Sequence, residues 1–269
     1  MKRSVSIFGV GILAAATTTA VYLWPAPDAL VLPEMTVISA GEYDYRPAGD
    51  FRVGTRVVDA PIEHRTARLD FEIMKHHVRQ SEYSICVAQG GCEATLTKGS
   101  NDYPQVDVSY IDATAYARWL SKKTKQTWRL PTDEEWVRAA GDRFSEVILG
   151  DISNDPDPSK RWLLKYRTQA LERNAIDPEL RPIGSFGAND KGVVDINGNI
   201  WEWTESCFQN GKVSKDGAFL VESTSYCGVR AAQGKHRAFI IDFVRDAKGG
   251  GCAVGTPPDN LGFRLVRES

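Results

Sequence analysis

Apolar and polar positions change rhythm several times along this chain, and each change predicts an element. Val5 to Trp24 is an almost uninterrupted weakly polar or apolar run, closed by Pro25, Pro27 and Asp28. Residues 25–35 read as a linker, and Thr36 to Tyr45 alternates weakly, as a strand does. Arg79 to Gln89 reads as a short helix carrying Tyr83. Ser109 and Asp112 form a capping-box variant. They open a helix that runs to about Lys123 with Ile111, Ala115, Trp119 and Leu120 as its apolar stripe. After Pro131, Thr132 is placed to cap a further helix and Glu135 to reach back to it; Asp133, Glu134 and Glu135 in the first turn also suit the helix dipole. Residues 148–182 are polar and rich in Asp and Pro, an irregular insertion. From Gly184 onward Gly, Asn and Asp dominate, and helices are expected largely to stop. No internal repeat is present. The pattern predicts an irregular α+β chain with one core.

The first apolar run does not belong to that core. Lys2 and Arg3 precede about 20 residues, near the length that spans a bilayer. Residues 1–27 are therefore expected to be an export signal peptide or an uncleaved signal anchor through residues 5–24, and 28–269 the folded domain. A buried N-terminal helix is the plainer alternative. Either export route predicts a periplasmic or otherwise exported domain.

Composition supports a globular chain: 42% hydrophobic and 25% charged residues. A net charge of −2 offers no basic field for nucleic acid. Five cysteines are too few for a disulfide scaffold, and the absence of paired CxxC spacings argues against zinc. Cys86 and Cys92 bracket a glycine-containing loop that can close as a disulfide. Cys207 and Cys227 flank a polar stretch with the look of a surface hairpin and are expected to form a second. Cys252 is then left over. Five buried reduced thiols are the alternative.

Three segments say more. Arg129-Leu130-Pro131-Thr132-Asp133-Glu134-Glu135-Trp136, Asp195-Ile196-Asn197-Gly198-Asn199-Ile200-Trp201-Glu202-Trp203 and Asn260-Leu261-Gly262-Phe263-Arg264 stand in this order. They resemble the RLPTEAEWE, DMxGNVWEW and NxGFR segments of the formylglycine-generating enzyme (sulfatase-modifying factor) family. Tyr110 to Leu120 is similar to that family's upstream helix. The resemblance covers about residues 33–267 and implies the compact C-type-lectin-like fold, with little regular secondary structure. It also implies a calcium ion at Asp195, Gly198, Ile200 and Glu202, the middle two through carbonyls; two hard carboxylates bracketing backbone carbonyls fit that chemistry. The family's other calcium site, near Asn174-Ala175, falls in a shortened loop and is not carried over. Structural readings stand beside these: Arg129 satisfied by backbone carbonyls, Trp136 in the core, Arg264 as a core-to-loop clamp, Gly198 and Gly262 as tight turns.

The chain departs from the family where the chemistry should be. Gln233-Gly234-Lys235-His236-Arg237 falls on the catalytic RGGSW segment, and the two copper-binding cysteines would fall near Phe239 and Ile241. A copper-dithiolate oxidase needs two sulfur ligands there, so formylglycine generation is not expected. His236, Asp242, Arg245 and Trp201 remain as the candidate site. His236 is the acid, base or redox-metal ligand; Asp242 orients it or pairs with Arg245. The plainer reading is a surface His in the basic trio Lys235-His236-Arg237, whose cations suit an anionic partner. His76 and His77 read as structural or surface residues on opposite strand faces. The carboxyl-terminal segment resembles exported accessory proteins encoded beside copper nitrite reductases; a pyoverdine-maturation oxidase is another cysteine-lacking relative. The expected function is an accessory protein that binds or modifies a partner protein or peptide. The alternatives are a non-haem metal oxidase using His236 with Asp242 and a ligand-binding pseudoenzyme.

Overall fold

The computed structural model describes residues 31–96, 99–144, 179–247, 253–254 and 260–268, with scattered residues between 157 and 167. The apolar run at residues 5–24, most of the 148–182 insertion, Asn174-Ala175 and Cys252 lie outside the described residues. Among the described residues no helix is long and apolar enough to cross a membrane.

The expected strand over Thr36–Tyr45 is two. β1 (Met35–Ile38) and β2 (Gly41–Tyr45) belong to different sheets, and Gly41, with a φ of +148°, turns the chain between them. β3 (Gly49–Val53), β4 (Arg56–Val58), β5 (Glu63–Ala67) and β6 (Phe71–Met74) follow. One sheet has the order β1-β6-β13-β7, where β7 is Trp128–Arg129 and β13 is Val266–Arg267. The end of the chain is thus wedged antiparallel between two earlier strands. β2 and β5 form a separate pair.

The third sheet positions the candidate site. Its centre is a long antiparallel hairpin of β8 (Trp201–Val213) and β9 (Leu220–Gln233), extended by β3 and β4 on one side and by β10 (Ala238–Ile241) and β11 (Ala253–Val254) on the other. β12 (Leu261–Gly262) adds parallel to the start of β8.

The helices form where capping chemistry placed them. α1 is Gln80–Ala88, α2 Tyr110–Thr124 and α3 Asp133–Ala140. Ser109 and Asp112 exchange both hydrogen bonds of a capping box, and so do Thr132 and Glu135. The buried face of α2 is rotated from the expected stripe. It consists of Asp112, Ala113, Tyr116, Ala117, Trp119 and Leu120, whereas Ile111 is 51% exposed. Asp112 turns inward because it serves both the cap and Arg245, and Ile111 is thereby left outside. Tyr83, Tyr116, Trp119 and Phe263 pack ring on ring in the main core, together with Trp203 and Leu265. Trp136 anchors a second cluster under α3, as expected of a core residue.

Both expected disulfides are present, Cys86–Cys92 and Cys207–Cys227. The first ties the end of α1 to the loop after it. The second crosses the β8–β9 hairpin at a break in register.

Candidate functional site

The turn before β8 is built from residues that tolerate left-handed backbone. Asp195, Asn197 and Asn199 have φ values of +57°, +57° and +58°, a conformation that Asn and Asp adopt more readily than other side chains. Gly198, between them, does not have a positive φ; it is needed for space. A Cβ there would lie 2.9 Å from the Phe186 ring. Gly262 is likewise a close-approach residue rather than a turn, because its Cβ would meet the Gln105 carbonyl oxygen at 2.3 Å.

This turn spends its acceptors internally. Asp195 Oδ1 accepts from the Phe186 N–H at 2.7 Å and Oδ2 from the Gly184 N–H at 2.5 Å. The Gly198 carbonyl accepts from the Ile200 N–H at 2.6 Å. Glu202 is fully buried and faces Arg264, whose Nε and Nη2 donate to its two oxygens at 2.5 and 2.9 Å. His77 Nε2 lies 2.9 Å from the same carboxylate and 2.9 Å from Arg264 Nη2. The remaining Arg264 donors reach the carbonyls of Met74, Lys75 and Val194. Arg264 is the clamp the sequence predicts, and its partner is a carboxylate. Burial pushes Glu202 up, but Arg264 and His77 outweigh it and hold the group at about 2. Burial and the Arg264 charge hold His77 below its usual value.

Of the four residues implied as calcium ligands, three already have protein partners as placed. The oxygens of both carboxylates and the Gly198 carbonyl are engaged by protein donors, and a guanidinium occupies the space beside Glu202. Among the described residues no group of three or more His, Cys, Asp or Glu side chains gathers as a metal site.

The second wall of the candidate site is the β9–β10 turn. Ala232 lies near the end of β9, and residues 234–237 form the turn. Gly234 lies flat on Trp201: a Cβ there would be 2.6 Å from the indole. Trp201 Nε1 donates to the His236 carbonyl at 3.1 Å, and the two rings meet edge to face at 5.4 Å. Trp201 and His236 are thus brought together, but His236 is 2% exposed and is not the surface histidine of a basic trio.

Arg237 is not available to an anionic partner either. Its Nη2 lies 3.0 Å from Asp133 Oδ2, and its Nε donates to Oδ1 at 3.2 Å. Asp133 also accepts from the Tyr45 hydroxyl at 2.9 Å and from Gln233 Nε2 at 2.6 Å. Nothing local in the sequence links position 133 to 233 or 237, so the sequence alone shows this fully buried carboxylate only as a helix-dipole partner. Lys235 remains half-buried, with no carboxylate partner among the described residues. Burial and the neighbouring Arg143 hold its ammonium below the usual range.

Asp242 and Arg245 do not complete a site with His236. Asp242 sits in the turn after β10, where its N–H donates to the Gly228 carbonyl, within electrostatic reach of Tyr110. Arg245 is held by Asp112 through two 2.7 Å hydrogen bonds, so the anticipated Asp242–Arg245 pair does not form. Phe239, at one position where the oxidase would carry a thiol, packs edge to face on Phe208 at 4.9 Å. Arg129 differs from expectation as well: carboxylates of Glu135 and Glu268 hold it, with one carbonyl contact to Leu130. His76 and His77 lie in the segment after β6 and not on a strand; His76 is partly exposed near Glu34 and His77 is fully buried.

Comparison with known proteins places this geometry. Residues 24–269 match the family described as sulfatase-modifying factor enzyme 1-like domain. The inactive C-alpha-formylglycine-generating enzyme 2 of Bos taurus is 30% identical over 167 residues, 61% of this chain and 50% of that protein. The formylglycine-generating enzyme of Mycobacterium tuberculosis is 36% identical over 108 residues, 39% of this chain and 34% of that protein. The chain thus spans at most about half the length of these relatives. Among solved structures, PvdO from Pseudomonas aeruginosa superposes with a TM-score of 0.55 at 22% identity, covering 88% of this chain and 95% of that one, which is a likeness of fold.

Proposed function

This chain belongs to the sulfatase-modifying factor family, and from that premise we propose that it is an exported accessory member that binds a partner protein or peptide without oxidase chemistry. One observation carries the reading: the segment that would hold the copper thiolates is an apolar strand. Phe239 is packed on Phe208 and Ile240 is fully buried, so β10 has no sulfur to offer a soft metal. The word "inactive" in the bovine relative's name is consistent with loss of that chemistry within the family. The β9–β10 turn that remains is the binding surface of this reading. Trp201, Gly234 and His236 pack as a buried unit behind the β9–β10 turn, and half-buried Lys235, beside Arg143, is the cationic element for an acidic stretch of the partner. Electrostatic complementarity of this kind governs partner choice and association rate more than raw affinity.

The test is a photo-crosslinking residue placed at Lys235 in cells that produce the partner, with the same residue at Arg118, an exposed position on α2, as the control. A discrete adduct from position 235 and none from position 118 is expected. Equal labelling from both positions, or none from 235, overturns the binding surface.

A further inference from the structure

The two disulfides differ in their surroundings. Cys86 is fully buried in the main core beside Tyr83 and Tyr116. Cys227 lies in an eight-residue exposed stretch of β9, Val221 to Gly228, and Cys207 is only partly buried. The bridge crosses the point where the β8–β9 register slips, between the Cys207–Arg230 and Phe208–Tyr226 pairs. Arg230 Nη1 stands 3.2 Å from Cys207 Sγ and also donates to the Glu205 carbonyl at 2.6 Å. Its guanidinium lies 4.2 Å from the centre of the Tyr110 ring, and its Nε is buried with no hydrogen-bond partner. A cation is therefore held against one sulfur of an exposed bridge.

We propose that Cys207–Cys227 is a thiol–disulfide exchange site, at which the thiolate of an external dithiol attacks Cys227 and Cys207 leaves as a thiolate stabilised by Arg230. Exchange proceeds through a mixed disulfide, and its rate rises as the leaving thiol becomes more acidic. A neighbouring arginine lowers the pKa of a thiol, which makes Cys207 the better leaving group. The attacking sulfur bonds to Cys227 Sγ as the Cys207–Cys227 bond breaks. The dithiol's second thiolate then displaces Cys227 Sγ and closes its own disulfide. Two electrons pass from the dithiol to the bridge, and the dithiol's two protons end on Cys207 and Cys227. Opening the bridge frees the bulge, while Arg230 stays against the Cys207 sulfur it stabilises. The site does not depend on the binding surface proposed above.

The test uses the native full chain with pre-existing free thiols blocked. Dithiothreitol is added without denaturant, samples are alkylated over time, and the cysteines are mapped by mass spectrometry. Cys207 and Cys227 are expected to open at least about tenfold faster than Cys86 and Cys92, as exposed bridges do relative to buried ones. In Cys227→Ala, the pH profile of Cys207 alkylation is expected to lie below the ordinary thiol value of about 8.5, and adding Arg230→Met to move it up. A circular dichroism spectrum confirms that both variants are folded. Opening of both bridges at one rate, or a Cys207 profile at the ordinary value that Arg230→Met does not move, overturns the proposal.

Discussion

Arg264 closes on Glu202 with two parallel hydrogen bonds of 2.5 and 2.9 Å, both side chains fully buried. The pair joins the start of β8 to the segment after β12, and His77 brings the segment after β6 to the same point. A buried pair of this kind contributes little relative to an apolar replacement, but removing one partner leaves an uncompensated charge, at a cost of about 3–5 kcal/mol. Arg264→Met and Glu202→Gln are each expected to lose that amount in urea unfolding. The double variant should lose clearly less than the sum of the two. Additive losses would show that the two side chains act separately.

The same pair sets an acid limit. Glu202 is held at about 2 when folded, against about 4.3 for an unperturbed glutamate. The unfolded chain binds the proton first, so this contribution is fully present above the unfolded value and is lost as pH falls towards 2. Unfolding free energy measured from pH 6 to pH 2 should fall less steeply in Glu202→Gln than in the parent. Parallel curves would contradict the assigned ionisation.

Metal dependence follows from how the Asp195 turn spends its oxygens. With both carboxylates and the Gly198 carbonyl engaged by protein donors, the melting temperature is expected to be the same in calcium and in chelator. A ligand that bound the folded state at 100 times its Kd would add about 2.7 kcal/mol. A calcium-dependent rise that Glu202→Gln removes would contradict the arrangement.

His236 is expected to behave as a packed residue. His236→Ala should destabilise the fold by about 1–3 kcal/mol, a range typical of buried sites and above that of exposed ones. A variant as stable as the parent would place the ring outside the Trp201 contact.

Arg237→Leu should strand the fully buried Asp133 with Tyr45 and Gln233 as its remaining side-chain donors among the described residues. A loss of about 2–4 kcal/mol is expected, and Asp133→Asn in the same background should recover part of it by removing the unpaired charge. Equal stability of Arg237→Leu and its parent would refute the ion pair.

Local rules made much of the fold legible. The capping boxes at Ser109 and Thr132, the core role of Trp136, both disulfides and the Arg264 clamp rest on short-range chemistry or on motif resemblance, and the structure contains each of them. What was not legible depends on which distant segments meet. Asp112 takes Arg245 from 133 positions away, which displaces the Asp242–Arg245 pair read from spacing. Asp133 takes Arg237, which removes a cation from the surface. His77 is readable as structural, but not as a neighbour of Glu202, because its partners arrive from β8 and from the carboxyl-terminal segment. Gly198 and Gly262 were readable as required glycines; the Phe186 ring and the Gln105 carbonyl that require them were not.

The central claim is that the chain binds its partner without oxidising it. Incubating the full chain with copper(I), oxygen, a thiol reductant and a cysteine-bearing sulfatase-type peptide, followed by mass spectrometry, tests it most directly. The account predicts a peptide that keeps its thiol at every time point, with no copper retained by the protein. Conversion of that cysteine to the aldehyde would contradict it.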